Sequence, residues 1–160
     1  MTSMVKESRR AISADVEYST FYIGEQLVGI DIQKVQEINR MLEFTRVHHA
    51  PRCVKGVANL RGEVVTVVDP RVILGLDPIE LAVDSRNVIV TSRNERIGLL
   101  VDRIGDVVSV STDAIEPPPA NAGGLDGRFF KGVITLESEL LVVLDTEEIL
   151  SAGDTDHHKE

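Results

Sequence analysis

Two aspartates that each follow an aliphatic run are the first candidates for chemistry in this chain of 160 residues, Asp69 and Asp145. Two carboxylates that share a proton can activate water for hydrolysis. Such a site needs a flexible Asp-Thr-Gly or Asp-Ser-Gly turn, whereas Pro70 follows the first aspartate and Thr146-Glu147 the second. We therefore expect both aspartates to cap helices at strand ends. An aspartate-dependent hydrolase is the remote alternative.

The other reactive side chains do not form a recognisable catalytic or metal site. His48-His49 and His157-His158 are adjacent pairs whose side chains point apart on a strand or helix, and no Cys or carboxylate lies at a metal-ligand spacing. Cys53 is the single cysteine and has no partner for a disulfide within the chain. We expect its side chain to be buried as a small apolar group. Gly123-Gly124 precedes no helix signal and is not a phosphate loop. We predict no catalytic residue, no metal and no cofactor.

The segment from Gly56 to Leu74 predicts a β-hairpin with a charged tip. Its strands are Val57 to Leu60 and Val64 to Val68, and Arg61-Gly62-Glu63 forms the turn. Glycine provides the positive φ that a tight hairpin turn requires. Asp69-Pro70 ends the second strand and begins a short helix, because proline suits a first helical position.

The same hairpin sequence occurs a second time. Gly132 to Leu150 aligns with Gly56 to Leu74 without a gap, and eight of the nineteen positions are identical. An earlier hairpin is also repeated, because Val28 to Ile38 aligns with Ile97 to Val107. Its first copy has strands from Tyr18 to Ile23 and from Leu27 to Ile32, and the second from Asn87 to Thr91 and from Arg96 to Val101. The chain is therefore an internal duplication.

These repeats predict an all-β protein. Each half supplies about five short antiparallel strands, and a sheet of that size removes its exposed edges by closing into a small barrel. We expect two similar five-stranded barrels that share a hydrophobic core, with short helical turns. Apolar residues occur at both the even and the odd positions of Val64 to Val68 and of Leu140 to Leu144, and therefore on both faces of each strand. Both faces should accordingly be covered. Residues 116–124 form an irregular excursion within the second copy.

The expected organisation has three parts. Residues 1–16 are expected to be a flexible polar leader, and residues 152–160 an acidic tail. Residues 17–151 form the domain, which we expect to consist of two intertwined five-stranded barrel lobes with halves of roughly 17–80 and 85–151. No apolar run approaches the roughly 18 residues of a membrane helix, and the N-terminus lacks the apolar stretch of a secretory signal. We expect a cytoplasmic protein without direct membrane insertion.

The charge is negative overall but unevenly distributed. A formal charge of −9 argues against broad contact with nucleic acid. Residues 40–61 carry five cations and one acid, whereas residues 137–160 carry eight acids and one cation. These segments are either two solvated surfaces or a basic patch that faces an acidic partner.

The two copies of the repeated hairpin differ at the tip. Asn59-Leu60-Arg61-Gly62 in the first copy corresponds to Thr135-Leu136-Glu137-Ser138 in the second, while the aliphatic positions are retained. A position that varies between copies is either unconstrained surface or a place where one copy has acquired a function. Both interpretations stay open on composition alone.

The motifs, taken in order, resemble the CheW family of chemotaxis coupling proteins. Residues 54–62, VKGVANLRG, precede an aliphatic strand and Asp69. Gly29-Ile30-Asp31, residues 35–38 and residues 97–102 (IGLLVD) also match the family's pattern. The resemblance covers about residues 18 to 151.

This resemblance implies a non-enzymatic adaptor built from two SH3-like barrels. Such an adaptor couples the cytoplasmic tips of methyl-accepting chemoreceptors to the regulatory domain of the histidine kinase CheA, which has the same double-barrel fold. The expected protein is monomeric alone and is recruited to membrane-associated receptor arrays together with its partners. A scaffold of a non-flagellar chemosensory pathway is the alternative.

The resemblance also implies site residues. Those expected at or supporting the receptor-binding side are Val35, Glu37, Ile38, Gly56, Asn59, Leu60, Arg61 and Gly62. Those expected at the kinase contact are Val88, Val90 and Leu99. Glu37 and Arg61 are implied to approach each other, and we hypothesise that this pair fixes the Arg61 loop. Their counterparts in the second copy, Asp106 and Glu137, are both acidic and cannot pair.

Overall fold

The computed structural model describes residues 15–40, 43–92 and 94–159. These residues form thirteen strands, short 3-10 turns and two α-helices. The strands are β1 (Asp15–Ile23), β2 (Gln26–Asp31), β3 (Val35–Arg40), β4 (Val54–Leu60), β5 (Glu63–Val68), β6 (Arg86–Ser92), β7 (Glu95–Val101), β8 (Arg103–Ile104), β9 (Val108–Ser111), β10 (Asn121–Ala122), β11 (Leu125–Asp126), β12 (Phe130–Thr135) and β13 (Leu140–Leu144). The helices are α1 (Pro70–Ile73) and α2 (Thr146–Lys159).

Two main sheets divide the molecule into two lobes. The sheet of lobe I has the order β12-β13-β2-β1-β8, and β9 also pairs with β1. The sheet of lobe II has the order β3-β6-β7-β5-β4. An isolated antiparallel bridge joins Glu116 to Val133 in lobe I, and another joins Thr45 to Val57 in lobe II. Each bridge carries the backbone pairing beyond the end of its sheet, as in a small closing barrel.

The lobes do not coincide with the two halves of the sequence. In lobe I, β13 from the second half pairs in parallel with β2 from the first half. In lobe II, β5 from the first half pairs in parallel with β7 from the second half. Each lobe therefore contains hairpins from both copies, and the two halves are intertwined by two parallel strand pairs.

The duplication is preserved in the strand register. Val28 is the partner of Val142, and the equivalent pair in lobe II is Ile97 with Thr66. The β12–β13 pair has a register shift between Phe130 and Gly132, and the β4–β5 pair has one between Val54 and Gly56. Equivalent positions in the two lobes can therefore be compared residue by residue.

A glycine permits the close approach of the bridging segment in each lobe. A Cβ atom on Gly56 would overlap the carbonyl oxygen of Thr45, and one on Gly132 would lie 2.7 Å from the carbonyl oxygen of Glu116. Real Cβ atoms do not approach backbone oxygens so closely. The glycine that the two copies share is thus required for the backbone pairing that extends each sheet.

A hydrophobic core shared by the two lobes confirms the predicted all-β, double-barrel fold. Phe21 and Val28 of lobe I and Val90 and Leu99 of lobe II belong to one buried cluster. A second cluster, which includes Leu27 and Leu141, consists of lobe I residues. The buried residues of lobe II outside the shared core form two smaller clusters: Ala58, Val67, Ile79 and Leu100; Leu60, Val65 and Ile89.

The two repeated aliphatic strands differ in how far they are covered. Leu140 is half-buried and residues 141–144 are buried, as expected for covered faces, whereas Val64 is 71% exposed. The prediction that both faces of the earlier strand are covered is therefore wrong at Val64, which lies beside the hairpin turn. Asp69 caps α1 through a hydrogen bond from the Arg71 backbone N–H, 3.0 Å. Asp145 accepts a hydrogen bond from the Glu148 backbone N–H, 3.2 Å, at the start of α2.

The ends of the domain differ from the expected boundaries. Strand β1 begins at Asp15, and residues 1–14 of the expected leader lie outside the described residues. The expected acidic tail continues α2 as far as Lys159, while Glu160 and the side chains of residues 153–159 lie outside the description. The excursion at residues 116–124, expected to be irregular, contains the two-residue strand β10, which pairs with β11.

Within residues 15–40, 43–92 and 94–159, no helix is both long and apolar enough to cross a membrane. The same described residues contain no cluster of histidine, cysteine and carboxylate side chains that could hold a metal ion. Cys53 is buried in the shared core, as predicted.

Candidate functional site

The tip of the β4–β5 hairpin is a tight two-residue turn. Arg61 has φ of 51° and Gly62 has φ of 86°, the combination of a type I′ turn. The Asn59 side-chain oxygen accepts a hydrogen bond from the Gly62 backbone N–H, 2.9 Å. Positive φ is uncommon for a residue with a long side chain. Arg61 is therefore held in a fixed, projecting position at the tip.

Glu37 and Arg61 form the ion pair that the resemblance implied. The Arg61 guanidinium donates a hydrogen bond to Oε2 of Glu37, which lies on β3. The Arg61 side chain is 69% exposed, whereas the Glu37 side chain is 21% exposed. The acid is therefore the more fixed partner, and it orients an arginine whose remaining donors face solvent.

Two further charged residues extend this pair, and the sequence interpretation did not identify either of them. Arg96, at the start of β7, donates a hydrogen bond to Oε2 of Glu63. A second nitrogen of Arg96 lies 3.7 Å from Oε2 of Glu37. We name Glu37, Arg61, Glu63 and Arg96 the four-charge network. It connects strands β3, β5 and β7 to the turn, and its formal charge is zero.

The four-charge network favours ionised Glu37. The hydrogen bond from Arg61 is the main cause that holds the pKa of Glu37 below its ordinary value, and partial desolvation opposes it. A hydrogen bond from Asn39 and the positive charges of Arg61 and Arg96 act in the same direction as the main cause. The ion pair is therefore formed at neutral pH.

The residues predicted at the receptor-binding side divide into an exposed and a supporting group. Asn59, Arg61 and Gly62 are exposed at the tip, and Ile38 is 41% exposed on β3. Val35 is half-buried against the shared core, and Gly56 and Leu60 are buried. The structure thus brings Asn59, Arg61 and Gly62 together at the tip with Glu37. Ile38 pairs with Val88 and lies on the opposite face of β3 from Glu37, which pairs with Ile89. The buried group supports the strands beneath the tip.

The residues predicted at the kinase contact have a different environment. Val88 and Val90 are 0% exposed and Leu99 is 2% exposed, and all three belong to the core between the lobes. Their side chains cannot touch a partner in this fold. This corrects their proposed role as direct contacts. The face of β6 and β7 that carries these three side chains packs against the other lobe.

A mainly apolar cleft lies between lobe II and the beginning of α2. It has a volume of about 350 Å³ and is lined by Val57, Thr66 and Ile97 on the strands and by Ile149 and Leu150 on the helix. The connecting segment contributes Val47, which is 46% exposed. This cleft has the character of a protein-binding groove rather than of a catalytic centre.

The duplicated aspartates serve as structural caps. The two oxygens of Asp69 accept hydrogen bonds from the backbone N–H groups of Arg71, 3.0 Å, and Ile79, 2.8 Å. Burial raises the pKa of Asp69, although these hydrogen bonds and nearby Lys55 oppose the shift. Because each of these two aspartates holds the start of its own helix, the geometry gives no support to the aspartate-dependent hydrolase.

Comparison with known proteins agrees with this architecture. The CheW-like domain family matches residues 17–154. The chain is 32% identical over 136 residues to the chemotaxis protein CheW of Klebsiella aerogenes, covering 85% of this chain and 82% of that protein. It is 30% identical over 144 residues to a probable chemotaxis protein CheW of Rhizobium etli, covering 89% and 92% of the two chains.

A solved structure has the same fold. The scaffolding protein TtCheW from Thermoanaerobacter tengcongensis matches with a TM-score of 0.75 and 28% sequence identity, covering 81% of this chain and 88% of that one. The family match spans both lobes and includes the β4–β5 tip with its Glu37–Arg61 pair. The chain therefore belongs to the CheW-like domain family.

Proposed function

We propose that this protein is an adaptor that joins the cytoplasmic tip of a chemoreceptor to the regulatory domain of the histidine kinase CheA, without chemistry of its own. The observation that carries the proposal is the ordered Arg61 tip. An exposed arginine on a strained turn, held by Glu37 on another strand, is pre-organised for a partner.

The receptor side of the proposal uses both charge and apolar surface. Arg61 supplies donors that suit a carboxylate of the partner, because a guanidinium binds carboxylates in a defined geometry. Ile38 supplies exposed apolar surface on the other face of β3, and the cleft lined by Val57 and Ile97 lies on the same lobe. Receptor tips are helical hairpins, and a helix can place its apolar face into a groove of this kind.

The kinase side of the proposal rests on the fold. The regulatory domain of CheA is expected to have the same double-barrel architecture, so the contact is between exposed barrel surfaces. Val88, Val90 and Leu99 contribute only by holding the two lobes together. Contacts of this size are expected to be modest, roughly micromolar, and to gain strength when many copies assemble in an array at the membrane.

The test is a co-purification with two separate baits, a receptor tip fragment and the isolated kinase regulatory domain. We expect wild type to be retained by both baits. Arg61→Glu should lose retention by the receptor fragment and keep retention by the kinase domain. Arg128→Glu is the matched control, because the Arg128 side chain is 70% exposed, close to the 69% of Arg61, and lies outside the tip.

The result that would overturn the proposal is equally direct. If wild type is retained by neither bait, the adaptor assignment fails. If Arg61→Glu and Arg128→Glu weaken receptor retention equally, the effect is one of net charge and the Arg61 tip is not the receptor site.

A further inference from the structure

A pocket of about 440 Å³ lies in lobe I at the position equivalent to the four-charge network of lobe II. We call it the lobe I pocket; its lining includes Thr20, Tyr22, Leu27, Arg103, Asp106, Leu136 and Glu139. Leu27 is buried and belongs to the lobe I cluster, and Leu136 packs against it. The pocket therefore has an apolar floor and a charged rim of two acids, Asp106 and Glu139, and one cation, Arg103.

The equivalence of the two places follows from the strand register. Tyr22 pairs with Leu27 as Thr91 pairs with Arg96, so Leu27 occupies in lobe I the place of Arg96 in lobe II. The same internal alignment places Asp106 at the position of Glu37. In the repeated hairpin, Glu137 and Glu139 stand at the positions of Arg61 and Glu63.

At these four positions lobe I retains the carboxylates of lobe II and lacks its arginines. Carboxylates remain at both acidic positions, as Asp106 and Glu139, and both are exposed. Both arginines are gone, because Glu137 and Leu27 replace them. Among the described side chains, no ion pair joins a cation to either of the two carboxylates.

The hairpin tip of lobe I has the same length as the tip of lobe II. The Leu136 backbone N–H donates a hydrogen bond to the Glu139 carbonyl, 2.9 Å, and Leu60 pairs with Glu63 at the equivalent place. The difference between the two tips therefore lies in their side chains, because the positions of Arg61 and Arg96 carry no guanidinium in lobe I.

We propose that the lobe I pocket binds an arginine side chain presented by a partner protein, which supplies in trans the guanidinium that Arg61 and Arg96 supply in lobe II. The lobe II network provides the precedent, since carboxylates at the same two positions already hold guanidinium groups there. This inference does not depend on which partner occupies the Arg61 tip.

The walls of the pocket favour arginine over other cations. The Tyr22 hydroxyl donates to the carboxylate of Glu139, 3.0 Å to Oε2, and so fixes that acid at the rim. The guanidinium of Arg103, a residue of this same chain, already lies 3.6 Å from the centre of the Tyr22 ring, so the two carboxylates rather than this ring are left for a partner's arginine. A planar guanidinium can also bridge two carboxylates, whereas a lysine ammonium is a point charge that is more strongly hydrated.

The test is an NMR titration of the complete chain with a capped Gly-Arg-Gly peptide. We expect saturable shifts at Thr20, Tyr22, residues 104–108 and residues 136–139. The matched peptide with citrulline, which has the same shape without the charge, should produce no such shifts, and the lysine peptide should bind more weakly. Saturation is expected at millimolar peptide, because a single exposed ion pair contributes little affinity.

Variants separate the pocket from a general acidic surface. Asp106→Asn and Glu139→Gln should each lower the affinity for the arginine peptide by about two- to fivefold, as expected for one exposed ion pair. Glu63→Gln, the matched change in lobe II, should leave the titration unchanged. Leu27→Arg places an arginine in the pocket itself and should abolish the shifts if the variant folds.

Two results would overturn the proposal. One is a titration in which the arginine peptide causes no shifts at the lobe I pocket. The other is an arginine response that citrulline reproduces, or that Asp106→Asn and Glu139→Gln leave unchanged, because the carboxylates would then have no part in it. The two exposed variants keep the proposal testable even if Leu27→Arg does not fold.

Discussion

Glu37 accepts a hydrogen bond from Arg61, which lies 24 residues later in the chain and on a different strand pair. The acid is mostly covered and the arginine mostly exposed, so the pair orients a surface group from a fixed base. The equivalent residues of lobe I, Asp106 and Glu137, are both acidic. The same hairpin thus forms part of the fold in both lobes, but only its copy in lobe II carries an ordered cation at the tip.

Arg96 is predicted to position the Glu37–Arg61 pair. Arg96→Leu introduces the residue that lobe I has at the equivalent place, and it removes the cation that lies near both Glu37 and Glu63. We expect affinity for a receptor tip fragment to fall about two- to fivefold, the usual range for one exposed ion pair. The pKa of Glu37, followed by NMR without any receptor, should rise toward its ordinary value. Unchanged titration of Glu37 would show that Arg96 has no positioning role.

Asp69 is predicted to give the fold a specific pH dependence. Its pKa is raised in the folded state, so the folded protein binds more protons than the unfolded chain between the ordinary and the raised pKa. Stability therefore falls as pH rises through that window and is constant below it. In urea unfolding at a series of pH values, wild type should lose stability relative to Asp69→Asn as pH rises. A constant difference, or one of opposite slope, would contradict the assignment.

The two equivalent glycines are predicted to tolerate alanine poorly. Gly56→Ala and Gly132→Ala each force a Cβ against a backbone carbonyl oxygen, of Thr45 and Glu116 respectively. Overpacking of this kind costs about 1 to 3 kcal/mol of unfolding free energy. Gly62→Ala is the informative comparison, because a Cβ atom on Gly62 would meet no atom within 4 Å and only the positive φ opposes the change. Equal loss at Gly56 and Gly62 would show that close packing is not the cause.

Asp102 is predicted to hold the two lobes together. Its Oδ2 accepts hydrogen bonds from the Gly24 backbone N–H in the β1–β2 turn, 2.6 Å, and from Arg71 of α1, 3.0 Å. Asp102→Ala should lower the free energy of unfolding by about 2 kcal/mol, as expected for hydrogen bonds to a charged group. Asp113→Ala, at an exposed aspartate, should change it by less than about 0.5 kcal/mol. Similar effects of the two changes in thermal or urea unfolding would contradict this role.

The sequence allowed the hairpins, the duplication and the helix cap at Asp69 to be predicted, because each depends on residues that are close in the chain. It did not predict that β2 pairs with β13 and β5 with β7, since an aliphatic strand carries no local sign of which distant strand it joins. Intertwined lobes were expected from the sequence, but the two strand pairs that intertwine the halves were visible only in the structure.

The site was predicted in part for the same reason. Glu37 and Arg61 were identified through the resemblance, but Arg96 was not, because it is 33 residues from Glu63 and belongs to the other sequence half. Val88, Val90 and Leu99 were expected at a contact, yet apolar residues on one face of a strand serve the shared core equally well. The exposed position of Val64 was missed because residue type alone does not show where a sheet meets solvent.

The central claim is that a receptor binds the Arg61 tip in the orientation set by Glu37. Its most direct test is a charge-swap cycle, in which calorimetry measures the affinity of a receptor tip fragment for wild type, Glu37→Arg, Arg61→Glu and the double variant. Both single variants should bind more weakly than wild type. The double variant should bind better than either single variant, because reversing both charges restores the pair. A double variant that binds no better than the single variants would contradict the claim.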